Sequence, residues 1–406
     1  MIFTADIVFP ISAEPIRNGY VQCDDEGRIL AVGEFTAAVS RQAHDAKEPV
    51  VRNKGFLVPG FCNAHCHAEL SYLKGMFTQG TGMDGFIQQI NALRTTVDYE
   101  GRADAFGKAF NQLEVQGVTC MADISNCNET FALKRVLREQ ERMFTRTFIE
   151  VFGTEPEEAP SVMEGARQLQ AEARGMGIDA APTPHSCYTM SPLLNRLSAA
   201  AGLESGYISY HSQESSEEED MLRYGTGPLA EDYRSRGTTQ LPVTGTGALV
   251  YFLENLKKAV PAPVAGNVLL VHNVATDQES IDAALRDLQH PYWVLCPLSN
   301  LFIHRALPPV DLLRRNHLKI CVGTDSLSSN TQLSMVAELY CLQSRFPHVP
   351  LPELLEWACL NGAEAVGYAD RFGSFTPGKR PGIVLIEDVD AESLRLTEKS
   401  DSIRLL

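Results

Sequence analysis

Eight short apolar runs, at 58–67, 117–123, 146–151, 177–184, 206–210, 267–271, 292–296 and 318–324, recur along this chain and constrain its fold more than any other feature. Between them lie stretches with apolar residues at helical spacing. Ala105, Ala109, Phe110 and Leu113 precede the second run, and Ile281, Ala284, Leu285 and Leu288 precede the seventh. Strands that alternate with helices imply a parallel sheet. Eight such units over roughly three hundred residues predict an α/β chain folded as a closed (β/α)8 barrel of the TIM type. An open doubly wound sheet is the competing fold, but no glycine-rich dinucleotide fingerprint follows an early run.

The ends of these runs carry chemistry. On an extended strand, positions i and i+2 share a face, so His65 and His67 point the same way and can reach one metal ion. Imidazole is the commonest protein ligand for zinc and similar ions, and two such donors leave room for further ligands and a water. His185, His211, His272 and Asp325 each close or follow another run. In a barrel the carboxyl ends of all strands converge on one face, where these groups would meet. A lone histidine at a strand end is an ordinary structural residue; recurrence at five strand ends is what argues for a site.

The termini have a different pattern. Alternating residues at 19–23 and 28–32 flank the turn residues Asp24, Asp25, Glu26 and Gly27, a hairpin signal. Near the other end a turn cluster at 373–379 precedes a strand-like stretch at 382–386. The expected organisation is a metal-dependent barrel at 58–370, beside a small β-sandwich domain built from both termini, 1–57 and 371–406. A chain lacking residues 1–50 should then expose apolar surface and become insoluble.

With 406 residues the chain can form one large domain and a small one. It has no apolar run long enough to span a bilayer and no basic-then-apolar leader, so a cytoplasmic protein is expected. Ten cysteines, none in zinc-ribbon spacing, read as reduced buried thiols, and Cys66 should face away from His65 and His67. A formal charge of −16 without a basic patch argues against nucleic acid or an anionic membrane as partner. The partner expected is a small-molecule substrate, with homo-oligomerisation left open. The acidic cluster at 217–220 reads as the solvated first turn of a helix.

Taken together, Pro-Gly-Phe-Cys-Asn-Ala-His-Cys-His at 59–67, His211 with Glu214 three residues on, His272, and Gly-Thr-Asp-Ser at 323–326 resemble the amidohydrolase superfamily, specifically its mononuclear deaminase branch. The resemblance spans nearly the whole chain. The segments at 64–71, 184–189 and 323–330 are most similar to the aminofutalosine deaminase group, with S-adenosylhomocysteine and methylthioadenosine deaminases next.

That resemblance implies one divalent ion held by His65, His67, His211 and Asp325. Three neutral nitrogens and a carboxylate suit Zn2+, and Fe2+ or Mn2+ fit a similar donor set. Such an ion lowers the pKa of a bound water toward about 7. Glu214, one helical turn after His211, would take a proton from water and pass it to a ring nitrogen, unless it is a surface residue of a glutamate-rich segment. His272 would orient the nucleophile or stabilise the developing oxyanion, and Asp325 would accept a proton after attack. His185 would contact the substrate. Some relatives bridge two metals with a carboxylated lysine on strand four; the end of that strand here offers His185, so one ion is expected.

The implied reaction is hydrolytic removal of an exocyclic amine from a purine-like ring, such as that of an adenine nucleoside derivative like aminofutalosine, with release of ammonia. Glu69 would bind ribose hydroxyls or a ring nitrogen, and Arg94, after an expected helix at 84–93, would pair with a substrate carboxylate. A loop carboxylate and a surface arginine are the plainer alternatives. The chain departs from the adenosylhomocysteine pattern at 69–75, where that group tends to carry a methionine and Leu-Arg-Gly, and it lacks the Trp-rich segment and Glu that follow. The 300–304 segment is a candidate pocket wall, with His304 read as a helix or loop residue. The same scaffold also suits deamination of cytosine, guanine or a pterin, hydrolysis of a cyclic amide, or cleavage of a C–Cl bond. A catalytically silent binding scaffold is the reading from another class. Cytidine-deaminase zinc chemistry is disfavoured, since its His-x-Glu and Pro-Cys-x-x-Cys pattern is absent.

Overall fold

The computed structural model describes residues 1–239 and 241–406. Five strands come first: β1 (Ile2–Val8), β2 (Ile16–Cys23), β3 (Ile29–Glu34), β4 (Val50–Arg52) and β5 (Phe56–Pro59). Eight parallel barrel strands follow: β6 (Phe61–Cys66), β7 (Val118–Ser125), β8 (Phe144–Val151), β9 (Asp179–Pro184), β10 (Tyr207–Ser212), β11 (Val264–His272), β12 (Leu288–Leu295) and β13 (Ile320–Val322). The chain ends in β14 (Ile383–Glu387) and β15 (Asp401–Arg404). Each of the eight apolar runs therefore contributes a barrel strand, in the order expected.

Ladder bonds join the barrel strands as two four-stranded halves, β6-β7-β8-β9 and β10-β11-β12-β13. The seams between the halves are closed by individual bonds. The His211 amide donates to the His185 carbonyl (2.9 Å) across the β9/β10 seam, with Ser209 N bonded to Thr183 Oγ1 (2.8 Å) deeper down. Across the β13/β6 seam, the amides of Thr324 and Asp325 both donate to the His65 carbonyl at 3.1 Å. Residues expected to carry the chemistry thus also close the cylinder.

The hairpin expected at the N-terminus is present. β2 and β3 pair antiparallel from Gly19↔Glu34 to Cys23↔Ile29, and Asp24 Oδ1 accepts the amides of Glu26 and Arg28 across a turn in which Gly27 has φ +76°. The terminal domain expected as a β-sandwich is hydrogen-bonded as one seven-stranded sheet, β15-β14-β5-β1-β2-β3 with β4 beside β1. Both chain ends contribute, because β14 pairs with β5 from Ile383↔Pro59 to Ile386↔Phe56. The apolar run at 58–67 crosses between the two sheets: its first residues belong to β5 and its last to β6. Gly60 makes the switch, packed so tightly that a Cβ would lie 2.3 Å from the Thr119 side chain and 2.4 Å from the Pro381 carbonyl. The passage into the barrel therefore falls just after the boundary expected at 57/58.

The outer helices bury most of the faces their spacing implied, although Ala105 is only half-buried. In the helix Tyr99–Val115, Phe106, Ala109, Phe110 and Leu113 are buried. In the helix Gln278–Asp287, Ile281, Ala283 and Ala284 face inward, but Leu285 is 50% exposed and Leu288 already begins β12. All ten cysteines are free thiols, nine of them buried. No described helix is long and apolar enough to cross a membrane.

Candidate functional site

The carboxyl ends of the barrel strands enclose a cavity of about 680 Å³ whose floor includes His67, His185, His211, Glu214, His272 and Asp325. His67 Nε2 lies 3.2 Å from His211 Nε2, and Asp325 Oδ1 lies 3.8 Å from His65 Nε2 and 3.9 Å from His67 Nε2. A tetrahedral ion with bonds of about 2.0–2.1 Å holds its donors roughly 3.3 Å apart, close to this spacing. Donor atoms of His65, His67 and His211 all fall within 4.8 Å of one another.

The polar groups themselves argue for a cation. Both ring nitrogens of the fully buried His65, and Nδ1 of His67, have no hydrogen-bond partner, although a buried polar atom left unpaired costs about 1–3 kcal/mol. Burial, then the neighbouring imidazoles, push the pKa of His65 well down, and burial followed by His185 does the same to His211. Both are therefore neutral, the form that donates a lone pair to a metal. His211 Nδ1 faces the His185 carbonyl, an acceptor only, at 3.3 Å, so Nδ1 carries the proton and Nε2 turns its lone pair to the centre. Asp325 is oriented by the hydroxyls of Ser299 (2.6 Å) and Ser329 (2.7 Å), both donating to Oδ2. The donor set fits a single divalent ion.

Left-handed backbone also occurs at this end of the barrel. Gln213, His272, Asn273 and Asp325, all just past or at strand ends, have φ between +50° and +77°. Local bonds hold them: Asn273 N donates to the Ser212 carbonyl, Ala275 N to that of Gln213, and Asp325 N to that of His65.

Glu214 does not lie one helical turn beyond His211, as its spacing suggested. His211 is on β10, the chain reverses at Gln213, and the following helix begins only at Ser216. The turn brings Glu214 into the site instead, with Oε1 3.7 Å from His272 Nε2 and 3.7 Å from His304 Nε2. Burial pushes its carboxyl up, but His272, then His304 and His185, pull harder and hold it at about 2, ionised at neutral pH. His272 is fixed by Asn300, whose side-chain amide lies 3.0 Å from Nδ1.

His185 stacks on His211, centroids 4.4 Å apart, and burial drops its pKa to about 3; its Nδ1 is engaged by Ser186 (2.9 Å) and Thr189 (3.0 Å). Glu69 lines the cavity from beyond the strand: β6 ends at Cys66 and Glu69 sits in a short 3-10 helix, Ala68–Leu73. Its oxygens accept the Asn126 amide at 2.9 Å, and burial lifts its carboxyl to about 7. Arg94 caps the helix Gly82–Leu93 at the rim of the cavity, exposed to solvent.

The amidohydrolase family profile matches residues 56–403. The chain belongs to the amidohydrolase family. Along 95% of this amidohydrolase, it is 24% identical to a 5-methylthioadenosine/S-adenosylhomocysteine deaminase of Saccharophagus degradans, covering 83% of that protein. The fold is similar to that of Helicobacter pylori aminofutalosine deaminase in complex with methylthio-coformycin, with a TM-score of 0.78, 20% identity and full coverage of both chains. It is also similar to an adenosine deaminase from Xanthomonas campestris with bound zinc, with a TM-score of 0.71, 21% identity, and 95% of this chain and 84% of that one covered.

Several site residues of this amidohydrolase escaped the sequence. Glu150 ends β8 beside His211, and the rule that found the histidines, a polar group at a strand end, would have found it too. Asn126 and Ser299 come from segments just after strands and carried no motif, whereas Asn300 opens the 300–304 segment expected at the pocket wall and meets the His272 ring. The acidic cluster at 217–220 opens a helix as expected, but of its four residues Asp220 alone is exposed. Glu217 accepts the Met83 and Asp84 amides, Glu219 pairs with Arg223, and the fully buried Glu218 accepts the Glu214 amide at 2.9 Å and the Cys187 thiol at 3.0 Å.

Proposed function

We propose that this amidohydrolase is a metal-dependent hydrolytic deaminase of an amino-substituted purine-like ring, with an adenine nucleoside derivative as substrate. The observation that carries the reading is the convergence of His65, His67, His211 and Asp325 on one centre with an ionised Glu214 beside it. The names of the relatives, deaminases of adenine-bearing molecules, point to the same chemistry.

His65, His67, His211 and Asp325 would hold one divalent ion, zinc before iron or manganese, which when bound supplies an activated water at neutral pH. Glu214 takes a proton from the attacking water and delivers it to the ring nitrogen, making the adjacent carbon electrophilic. His272 faces the oxygen on which charge develops, and Asp325 receives the second proton, which leaves with ammonia. His185 and Glu69 bound the side of the cavity where the base and sugar would lie, and Arg94 stands at the rim for a charged tail.

The test is ammonia release by metal-reconstituted protein from a panel of aminopurines, adenosine derivatives, aminofutalosine and pterins, with one ion per chain by elemental analysis. Glu214→Gln should keep the ion and lower kcat on the order of 10³-fold or more. Release of chloride, or opening of a cyclic amide without ammonia, would move the chain to another branch of the family.

A further inference from the structure

We infer, resting on the reading of Glu214 as proton carrier, that His304 is a positioning residue that clamps one oxygen of the Glu214 carboxylate so that the other stays open for proton transfer.

The helix Pro297–His304 directly follows β12 and buttresses three groups of the site. Ser299 donates to Asp325 Oδ2 at 2.6 Å, the Asn300 amide meets His272 Nδ1 at 3.0 Å, and His304 Nε2 stands 3.7 Å from Glu214 Oε1. Asn300 and His304 are four residues apart, hence one above the other on the same helix face. That face meets a pair, since Glu214 Oε1 is also 3.7 Å from His272 Nε2. Both imidazoles approach Oε1. In the proposed arrangement Oε2 is the oxygen that exchanges protons.

Two further features suit a clamp. The His304 side chain is only 7% exposed and its buried Nε2 has no hydrogen-bond partner. The helix end that carries it is pinned: the Gly80 amide donates to the Phe302 carbonyl at 2.7 Å, and Arg305, at φ +55°, closes the last turn with its amide on Leu301 at 3.1 Å. Gly80 suits that place because its φ of +71° is one that residues with a Cβ rarely adopt. Glu214 itself follows a reversed turn, anchored through its amide on Glu218. Its side chain would otherwise have rotamers that carry the carboxylate away from the reacting atoms.

The experiment compares His304→Asn with His304→Gln in full-length, metal-loaded protein, using an adenine nucleoside that the wild type turns over. A Gln amide reaches the position of Nε2; an Asn amide stops short, at that of Nδ1. His304→Asn should lower kcat about 10–100-fold with KM within about twofold, and His304→Gln should recover most of the loss. Metal content should match the wild type in both. Equal kcat for wild type and His304→Asn overturns the inference. So does a loss that Gln fails to rescue, or one accompanied by a raised KM or a lost ion, since those mark a space-filling role. If the wild type releases no ammonia from any ring, or Glu214→Gln stays active, the parent reading has failed and the clamp with it.

Discussion

Two clusters of buried polar side chains sit near the same end of the barrel, and they are finished in opposite ways. Between β7 and β8, the fully buried Lys134 forms an ion pair with Asp123 and donates to Ser125 (2.8 Å) and Thr147 (3.3 Å), while Asp123 Oδ1 takes the Ala68 amide at 3.2 Å. No polar side-chain atom of that group is left without a partner. A few residues away, both ring nitrogens of His65 and Nδ1 of His67 have no hydrogen-bond partner. The fold is able to satisfy buried charge from within. Where it does not, donor atoms of His65, His67 and His211 lie within 4.8 Å of one another, a set that a cation would complete.

The largest effect should come from breaking the incomplete cluster. His67→Asn removes one donor and should lose the ion and turnover on the order of 10³-fold or more, while metal-free protein melts no lower than the metal-free wild type. Elemental analysis and calorimetry check both halves. Retention of one ion per chain by His67→Asn would show that the four donors do not act as a set.

The complete cluster should respond in the opposite sense. Lys134→Met leaves Asp123 buried and unpaired, which should cost about 3–5 kcal/mol by denaturant unfolding while ion content holds. Adding Asp123→Asn should recover most of it, because the uncompensated charge is then gone. A single variant as stable as the wild type would mean that water reaches Asp123.

The same contrast explains what the sequence revealed. Barrel strands and ligand candidates were legible because both obey local rules: an apolar run, then a group that binds metal. Lys134 was not, since a lysine within a helix reads as surface, and only packing carries its ammonium between two strands. Glu217, Glu218 and Glu219 failed for a related reason, because a carboxylate in a first turn is favoured by the helix dipole at any depth. The 300–304 segment was legible as a pocket wall, but what Ser299, Asn300 and His304 each touch depends on a helix placed by the closed barrel. Gly60 was hidden inside one continuous apolar run that supplies two sheets.

Glu218 tests an intermediate case, a buried carboxyl that has hydrogen bonds but no counter-ion. Burial raises its pKa from 4.5 to about 8, overriding the dipole. The native state therefore keeps a proton that the unfolded chain has released, so between these values stability falls as pH rises, and is fully present below the lower one. Glu218→Gln should flatten that slope, gaining on the order of 2 kcal/mol over the wild type near pH 8.5 and nothing near pH 4.5. Melting temperatures across the range check it; parallel curves would mean that Glu218 is ionised in the native state.

Arg94 takes the comparison out to solvent, where a charge needs no partner and the effect should be smallest. Its carbonyl is held by the Tyr72 hydroxyl at 2.9 Å, whereas its guanidinium has no ion-pair partner among the described residues. The backbone thus fixes where the side chain starts and leaves the charge free for a ligand. An exposed pair contributes about 1 kcal/mol or less, so Arg94→Ala should raise KM no more than about fivefold, and only for nucleosides bearing a carboxylate. Because such a pair is screened, the wild-type KM for those substrates should rise with salt and the variant's should not. A KM unchanged for every active carboxylated nucleoside would leave Arg94 as a helix cap alone, with the charged tail, if there is one, bound elsewhere on the rim.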